Sequence, residues 1–209
     1  MKSTMPYLGC SATVMRAVCR SVFAAHAVDD EAKWRDDVLS LFRGAKFREE
    51  RYGALELAGD LRARPFRTLA ALPMYEEMIV TGAWWDYVDH LAAHRLGELL
   101  QKHPAAMKKT MLAWSRDDDL WKRRSSILCQ LRFKEKTDLP LLYACIEPSI
   151  ERKEFFLRKA IGWALRQYAR TDPREVLRYV RERRAQLSPL SKREALKNVV
   201  KSGLIAKIP

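Results

Sequence analysis

Several side chains stand where helical periodicity leaves them no ordinary place. On a helix read at about 100° per residue, the segment 152–170 gathers Leu157, Ile161, Ala164, Leu165 and Tyr168 on one side, a sufficient core face. The other side holds Phe155, Lys159, Trp163, Arg166 and Arg170. A tryptophan set among three cations, turned from the core, suits a surface that grips phosphates while stacking on a sugar or base. It equally suits a tryptophan packed beneath a neighbouring helix. The segment 119–135 places Arg124 on the stripe of Leu120, Trp121, Ile127, Leu128 and Leu131, and the segment 83–101 places Asp89 with Trp85, Ala92, Ala93, Leu96 and Leu100. Asp89 and Arg124 are natural partners. Either they form a buried ion pair stitching neighbouring repeats, or Arg124 keeps a carboxylate ionised at the floor of a basic groove.

Other charged residues carry less. His90 follows Asp89 in sequence but points about 100° away on a helix, which argues against a catalytic His–Asp pair. The run Arg181-Glu182-Arg183-Arg184 reads as a solvated helix end. Cys10, Cys19, Cys129 and Cys145 lack CxxC or Cys/His ligand spacing, so they read as free core thiols, with neither a zinc site nor a disulfide framework.

The elements that position these residues are helices. Apolar residues recur at three and four, β-branched alternation is nearly absent, and glycine is scarce at eight residues. Asp29-Asp30, His103-Pro104, Asp138-Leu139-Pro140 and Thr171-Asp172-Pro173 mark helix starts, and Pro65 and Pro73 suit first helical positions. A capping box, Ser191-Lys-Arg-Glu194, is expected to open the last helix. Helices are predicted near 10–27, 30–43, 47–62, 65–71, 73–80, 83–101, 104–115, 119–135, 139–147, 152–170, 173–184 and 191–203. Short loops make successive helices antiparallel neighbours, as in an α-solenoid of degenerate HEAT-like repeats or an irregular bundle.

The chain has 209 residues, near the size of one domain, and the whole of it is expected to form a single unit. Lys+Arg 39 against Asp+Glu 26 gives a formal charge of +13, which favours a polyanionic partner, with nucleic acid ahead of an anionic membrane. A hydrophobic fraction of 48% excludes a disordered chain, and no stretch approaches the roughly 20 apolar residues of a membrane span. Arg16 and Arg20 interrupt the region where a signal peptide keeps its uncharged core, so the start reads as mature helix and the protein as cytoplasmic and nucleoid-associated.

Four strings resemble those of AlkD-like DNA alkylation repair glycosylases. Thr81-Gly-Ala-Trp84-Trp85-Asp86-Tyr-Val-Asp89 resembles the WWDxVD motif of that family, and Trp121-Lys-Arg-Arg124-Ser-Ser-Ile-Leu-Cys-Gln130 resembles a helix that follows it. The third is Glu154-Phe155-Phe156-Leu-Arg-Lys159-Ala-Ile-Gly162-Trp163-Ala-Leu-Arg166-Gln-Tyr168, and the fourth is Leu187-Ser-Pro-Leu-Ser-Lys-Arg-Glu194-Ala. The WWDxVD and FFxRKAIGWxLR strings are specific in combination. The fit covers about Thr81 to Lys197 in order and spacing. Met5-Pro-Tyr-Leu-Gly9 resembles a family element that normally follows a further N-terminal helix, here expected to be missing or shortened.

The resemblance implies an all-α fold, an α-solenoid of antiparallel HEAT-like helix pairs with a basic concave groove. It implies that Asp89 is the catalytic carboxylate, that Trp85 and Trp163 flank the lesion-bearing nucleotide, and that Arg124 and Arg166 contact DNA near it. Lys159 and Arg170 join Arg166 on the phosphate-gripping face, and Phe155 and Phe156 are assigned no more than groove lining. The expected activity is monofunctional hydrolysis of the N-glycosidic bond of cationic N3- or N7-alkylated purines in double-stranded DNA, leaving an abasic site. No cofactor, no metal, no membrane partner and a monomeric state are expected. Two other readings stand beside it: a non-catalytic HEAT-repeat protein binding damaged or branched DNA, and an α-solenoid adaptor for acidic proteins.

Overall fold

Acidic caps and prolines start many of the helices. In the computed structural model, which describes residues 3–207, the Asp30, Asp119, Asp138 and Asp172 carboxylates accept from backbone N–H groups of the first turns they open. Each satisfies donors that a helix start leaves without intrahelical partners. Pro73, Pro104, Pro140, Pro173 and Pro189 stand in first turns, where a missing N–H costs nothing. Among the described residues the fold is all-α, with no strand. The chain divides into two compact units, Met1–Leu91 and Ala92–Pro209.

The first unit contains α1 (Ala12–Ala24), α2 (Glu31–Gly44), α3 (Arg48–Ala58), α4 (Leu72–Gly82) and α5 (Trp85–His90). Trp34 Nε1 donates to Leu57 O at 3.1 Å, while a Cβ on Gly53 would lie 3.7 Å from Leu41, so α2 and α3 pack antiparallel. The Met5–Gly9 element is held by Glu49, whose carboxylate accepts from the backbone N–H groups of Leu8, Gly9 and Cys10 at 2.9, 2.9 and 3.3 Å. Burial pushes that carboxyl up, but the backbone donors outweigh it and hold it below the ordinary value.

The second unit contains α6 (Gly97–Lys102), α7 (Pro104–Trp114), α8 (Leu120–Leu128), α9 (Leu139–Ile146), α10 (Phe155–Tyr168), α11 (Pro173–Glu182) and α12 (Pro189–Lys201). Its core joins Ile127, Leu142, Leu157, Ile161, Leu165 and Leu196, all at most 3% exposed. The hydroxyl of Ser191 donates to Arg158 O at 2.9 Å, and Asn198 Nδ2 donates to Arg166 O at 2.8 Å. These contacts advance together along both helices, so α10 and α12 run parallel, with residues 32–33 positions apart facing each other. That register fits stacked helix pairs of the HEAT-like kind.

Several expectations are corrected. The predicted helix 83–101 is three pieces: α5, a π-helical stretch Leu91–Leu96, and α6. Angles counted at 3.6 residues per turn therefore fail beyond His90. At the start of α6, a Cβ on Gly97 would lie 2.7 Å from Cys129 O, a close approach only glycine permits. The helix predicted over 119–135 stops at Leu128; beyond it, Gln130 pairs with both Asp138 backbone groups, and Lys134 is left-handed at φ 52°. Helix 47–62 ends at Ala58, and Pro65 lies inside a 3-10 segment, Leu61–Phe66. The capping box at Ser191 does not form. α12 starts two residues earlier, with Ser188 as its cap, because Ser191 bonds to α10 and Glu194 meets cations instead. Cys10 is exposed, whereas Cys19, Cys129 and Cys145 are buried thiols; burial pushes Cys145 up to about 12.

Candidate nucleic-acid interface

In the first unit the candidate residues lie on α5. Its start is fixed by a tight turn: a Cβ on Gly82 would meet Phe42 at 3.0 Å, and Ala83 adopts the left-handed φ of 43° that ends α4. Asp86 then ties α5 to α3. Its carboxylate accepts from Arg48 Nη2 at 2.6 Å and from the Tyr52 hydroxyl at 2.5 Å. Burial and the hydrogen bond to Asp86 push the Tyr52 phenol well above its ordinary value. The Arg48 guanidinium also lies 5.7 Å from the centre of the Trp84 ring. Positioned by this cluster, Trp85 is 42% exposed, while Asp89, one turn later, is only 8% exposed. A carboxylate so shielded interacts more strongly with nearby charge than one in open water.

In the second unit α8 and α10 carry the rest. Arg124, 3% exposed, does find a partner: Nη1 donates to Phe156 O at 2.5 Å, and its guanidinium lies 5.9 Å from the Phe156 ring centre. Trp121 packs against the same Phe156 ring, tilted, at 5.0 Å between centroids. Phe155 meets Phe156 edge-on at 5.6 Å and is itself 48% exposed. Arg124 thus anchors the N-terminal turn of α10.

Along α10 the core face forms as the periodicity requires, with Leu157, Ile161, Ala164 and Leu165 buried; Trp163 is half-buried and packs against the edge of the same hydrophobic core, so part of its ring is covered by the protein. The structure joins Lys159 and Arg166 through one residue of α12. Glu194 accepts from Lys159 Nζ at 3.1 Å, from Lys197 Nζ at 2.8 Å and from Arg166 Nη1 at 2.6 Å, with its side chain 6% exposed. Burial pushes this carboxyl up, yet the Lys197 and Lys159 bonds prevail and hold it below its ordinary value. Arg170 is brought with Arg166, Lys197, Lys201 and Lys207 around an open cleft of about 550 Å³ between the C-terminal halves of α10 and α12.

Two residues that position candidate side chains, one in each unit, are not evident from the sequence alone. Asp86 lies in the WWDxVD string, which singled out its neighbours, and Glu194 was assigned to a local cap. Both carry a charge whose partner lies on another helix, and periodicity within one helix gives no sign of that.

A helical-repeat protein with an aromatic and cationic surface is the class that these elements define. The comparisons carry it further: residues 1–199 match the family model of the DNA alkylation repair enzymes, and the chain belongs to that family. Membership implies DNA as the partner. A solved structure described as a predicted DNA alkylation repair enzyme from Enterococcus faecalis is similar over 93% of this chain and 89% of that one, at 29% identity and a TM-score of 0.83. The comparison with curated proteins gives no match. No helix among the described residues is long and apolar enough to cross a membrane.

Proposed function

We propose that the protein is a monofunctional DNA glycosylase that removes cationic N3- or N7-alkylated purines from duplex DNA, with both units acting as one repeat domain. The observation that carries the reading is α5: an open tryptophan face at Trp85 and, one turn on, the shielded carboxylate of Asp89. Alkylation at N3 or N7 places positive charge on the purine, so its departure needs no general acid. The C1′–N9 bond breaks, its electron pair goes to the base, which leaves neutral, and the positive charge passes to the sugar. A fixed anion stabilises this oxocarbenium-like state more than the ground state. Asp89 supplies that anion and orients the water, which adds to C1′ and loses a proton.

Trp85 and Trp163 offer aromatic faces to the cationic nucleotide, an attraction of about 0.5–2 kcal/mol. Arg124 supports the site, Arg166, Lys159 and Arg170 hold phosphates along a basic groove, and Phe155 and Phe156 line it. Purified protein is to be incubated with methylated duplex DNA and the released bases separated by chromatography. Release of 7-methylguanine or 3-methyladenine, with strands left intact until base is added, is expected. No released base would overturn the glycosylase reading, and immediate strand scission would overturn the monofunctional one.

A further inference from the structure

Glu194 is the least expected charge on this surface. A carboxylate beside a face meant for phosphates lowers its attraction for them, and a solvated acid there would only weaken binding. Glu194 is not solvated, however: only 6% of its side chain is open, and it is held at the place where α10 and α12 touch. A Cβ on Gly162 would come within 2.5 Å of Glu194 Cβ and 2.9 Å of Ser191 O, so glycine at 162 is what admits the acid against α10.

Its partners are not arbitrary either. Lys159 lies one turn before Trp163 on α10 and Arg166 one turn after, so the two cations flank the ring on its own helix face. One Glu194 oxygen takes Lys159 and the other takes Arg166. The carboxylate uses one donor of each, and a guanidinium has five and an ammonium three. Lys159 and Arg166 keep 37% and 29% of their side-chain surface open. Each therefore keeps donors beyond the one given to Glu194 and an open part of its side chain for a ligand, while its position is fixed.

We propose that Glu194 is a positioning residue that holds Lys159 and Arg166 on either side of Trp163 so that both meet the phosphates of one bound strand. Long cationic side chains lose rotamer freedom when they bind, and holding them beforehand removes part of that cost. The proposal deepens the DNA-binding reading and rests on duplex DNA being the partner; it does not rest on base release.

The test is duplex affinity, measured on unmodified DNA over a series of salt concentrations, for the wild type, Glu194→Gln and Glu194→Asp. Charge alone predicts that Glu194→Gln binds more tightly, since one negative charge is gone. Positioning predicts the opposite sign: affinity falls on the order of tenfold, and the salt slope flattens by up to about 1.8, two phosphate contacts at about 0.9 each. Glu194→Asp keeps the buried charge, and with it the fold, but withdraws the carboxylate by one methylene, so it is expected to lose affinity in the same direction. A double-mutant cycle with Arg166→Ala should be non-additive. Equal or tighter binding by either Glu194 variant, or full additivity with Arg166→Ala, would overturn the proposal. Base release by the wild type, assayed on methylated duplex in parallel, bears on the glycosylase reading alone.

Discussion

A single methyl group added at position 162 tests how α10 and α12 are joined. In an open helix Gly→Ala gains about 1 kcal/mol of helix propensity. Here the new Cβ would stand 2.5 Å from Glu194 Cβ and 2.9 Å from the Ser191 carbonyl oxygen. Neither atom is the far end of a flexible side chain, so relief requires α12 to move away from α10. Overpacking of this kind costs about 1–3 kcal/mol and occasionally more, and contacts this short belong at the upper end. Subtracting the propensity gain leaves a net loss of about 2 kcal/mol. For a chain of this size that is a fall of about 4–8 °C in Tm. Thermal unfolding followed by circular dichroism reads it directly. Gly53 is the control: its Cβ would meet Leu41 at 3.7 Å and Cys19 at 3.9 Å, ordinary contact distances. Gly53→Ala is therefore expected to stabilise by about 0.4–1 kcal/mol. A Gly162→Ala protein that melts at or above the wild-type temperature would refute the close-packing argument, and the seating of Glu194 with it.

Asp89→Asn is expected to keep duplex affinity and to lower the single-turnover rate of base release on the order of 10²–10³-fold; an unchanged rate would remove Asp89 from the chemistry. Asp86→Ala removes the acceptor of Arg48 and Tyr52 from a site about one-fifth exposed. It should cost about 2 kcal/mol in urea unfolding, less than the 3–5 kcal/mol of a fully buried pair, and a loss under about 0.5 kcal/mol would mean that α5 is held by other contacts. Glu194, with its folded pKa below the ordinary 4.5, adds stability that is complete above that value and is lost as pH falls through the lower folded one. Glu194→Gln should accordingly flatten the acid side of the stability–pH curve, and an identical acid limb in both proteins would show that the pairing contributes nothing.

Local signals in the sequence located helices well and misjudged their ends where tertiary contact decides. Asp30, Asp138 and Asp172 were legible because a cap and its helix are neighbours in the chain. The Ser188-Pro189 start of α12 was equally local, a cap followed by a proline suited to the first turn, yet the Ser191-to-Glu194 spacing offered a competing match. What excluded that match was Arg166, 28 residues away in sequence. The π stretch Leu91–Leu96 and the left-handed Lys134 carry no glycine or proline to announce them. Of the candidate residues, the α10 positions Phe155, Lys159, Trp163 and Arg166 followed from period alone, whereas Arg170 lies in the turn beyond Tyr168. The acid on α12 did not follow from it.

The helices that break the amphipathic rule do so for a common physical reason. A charge on a core-facing stripe costs free energy unless a neighbour answers it, so each such charge specifies one neighbour and one register. Arg124 selects the carbonyl of Phe156 and thereby sets the first turn of α10. Glu194 selects Lys159 and Arg166 and sets the length between them, while Asn198 takes the Arg166 carbonyl and sets the last turn. α10 is thus pinned from α8 at one end and from α12 along its length, and the half-buried ring of Trp163 inherits its direction from both. Substitutions at Arg124 or Glu194 consequently act on the aromatic face by moving the helix that carries it.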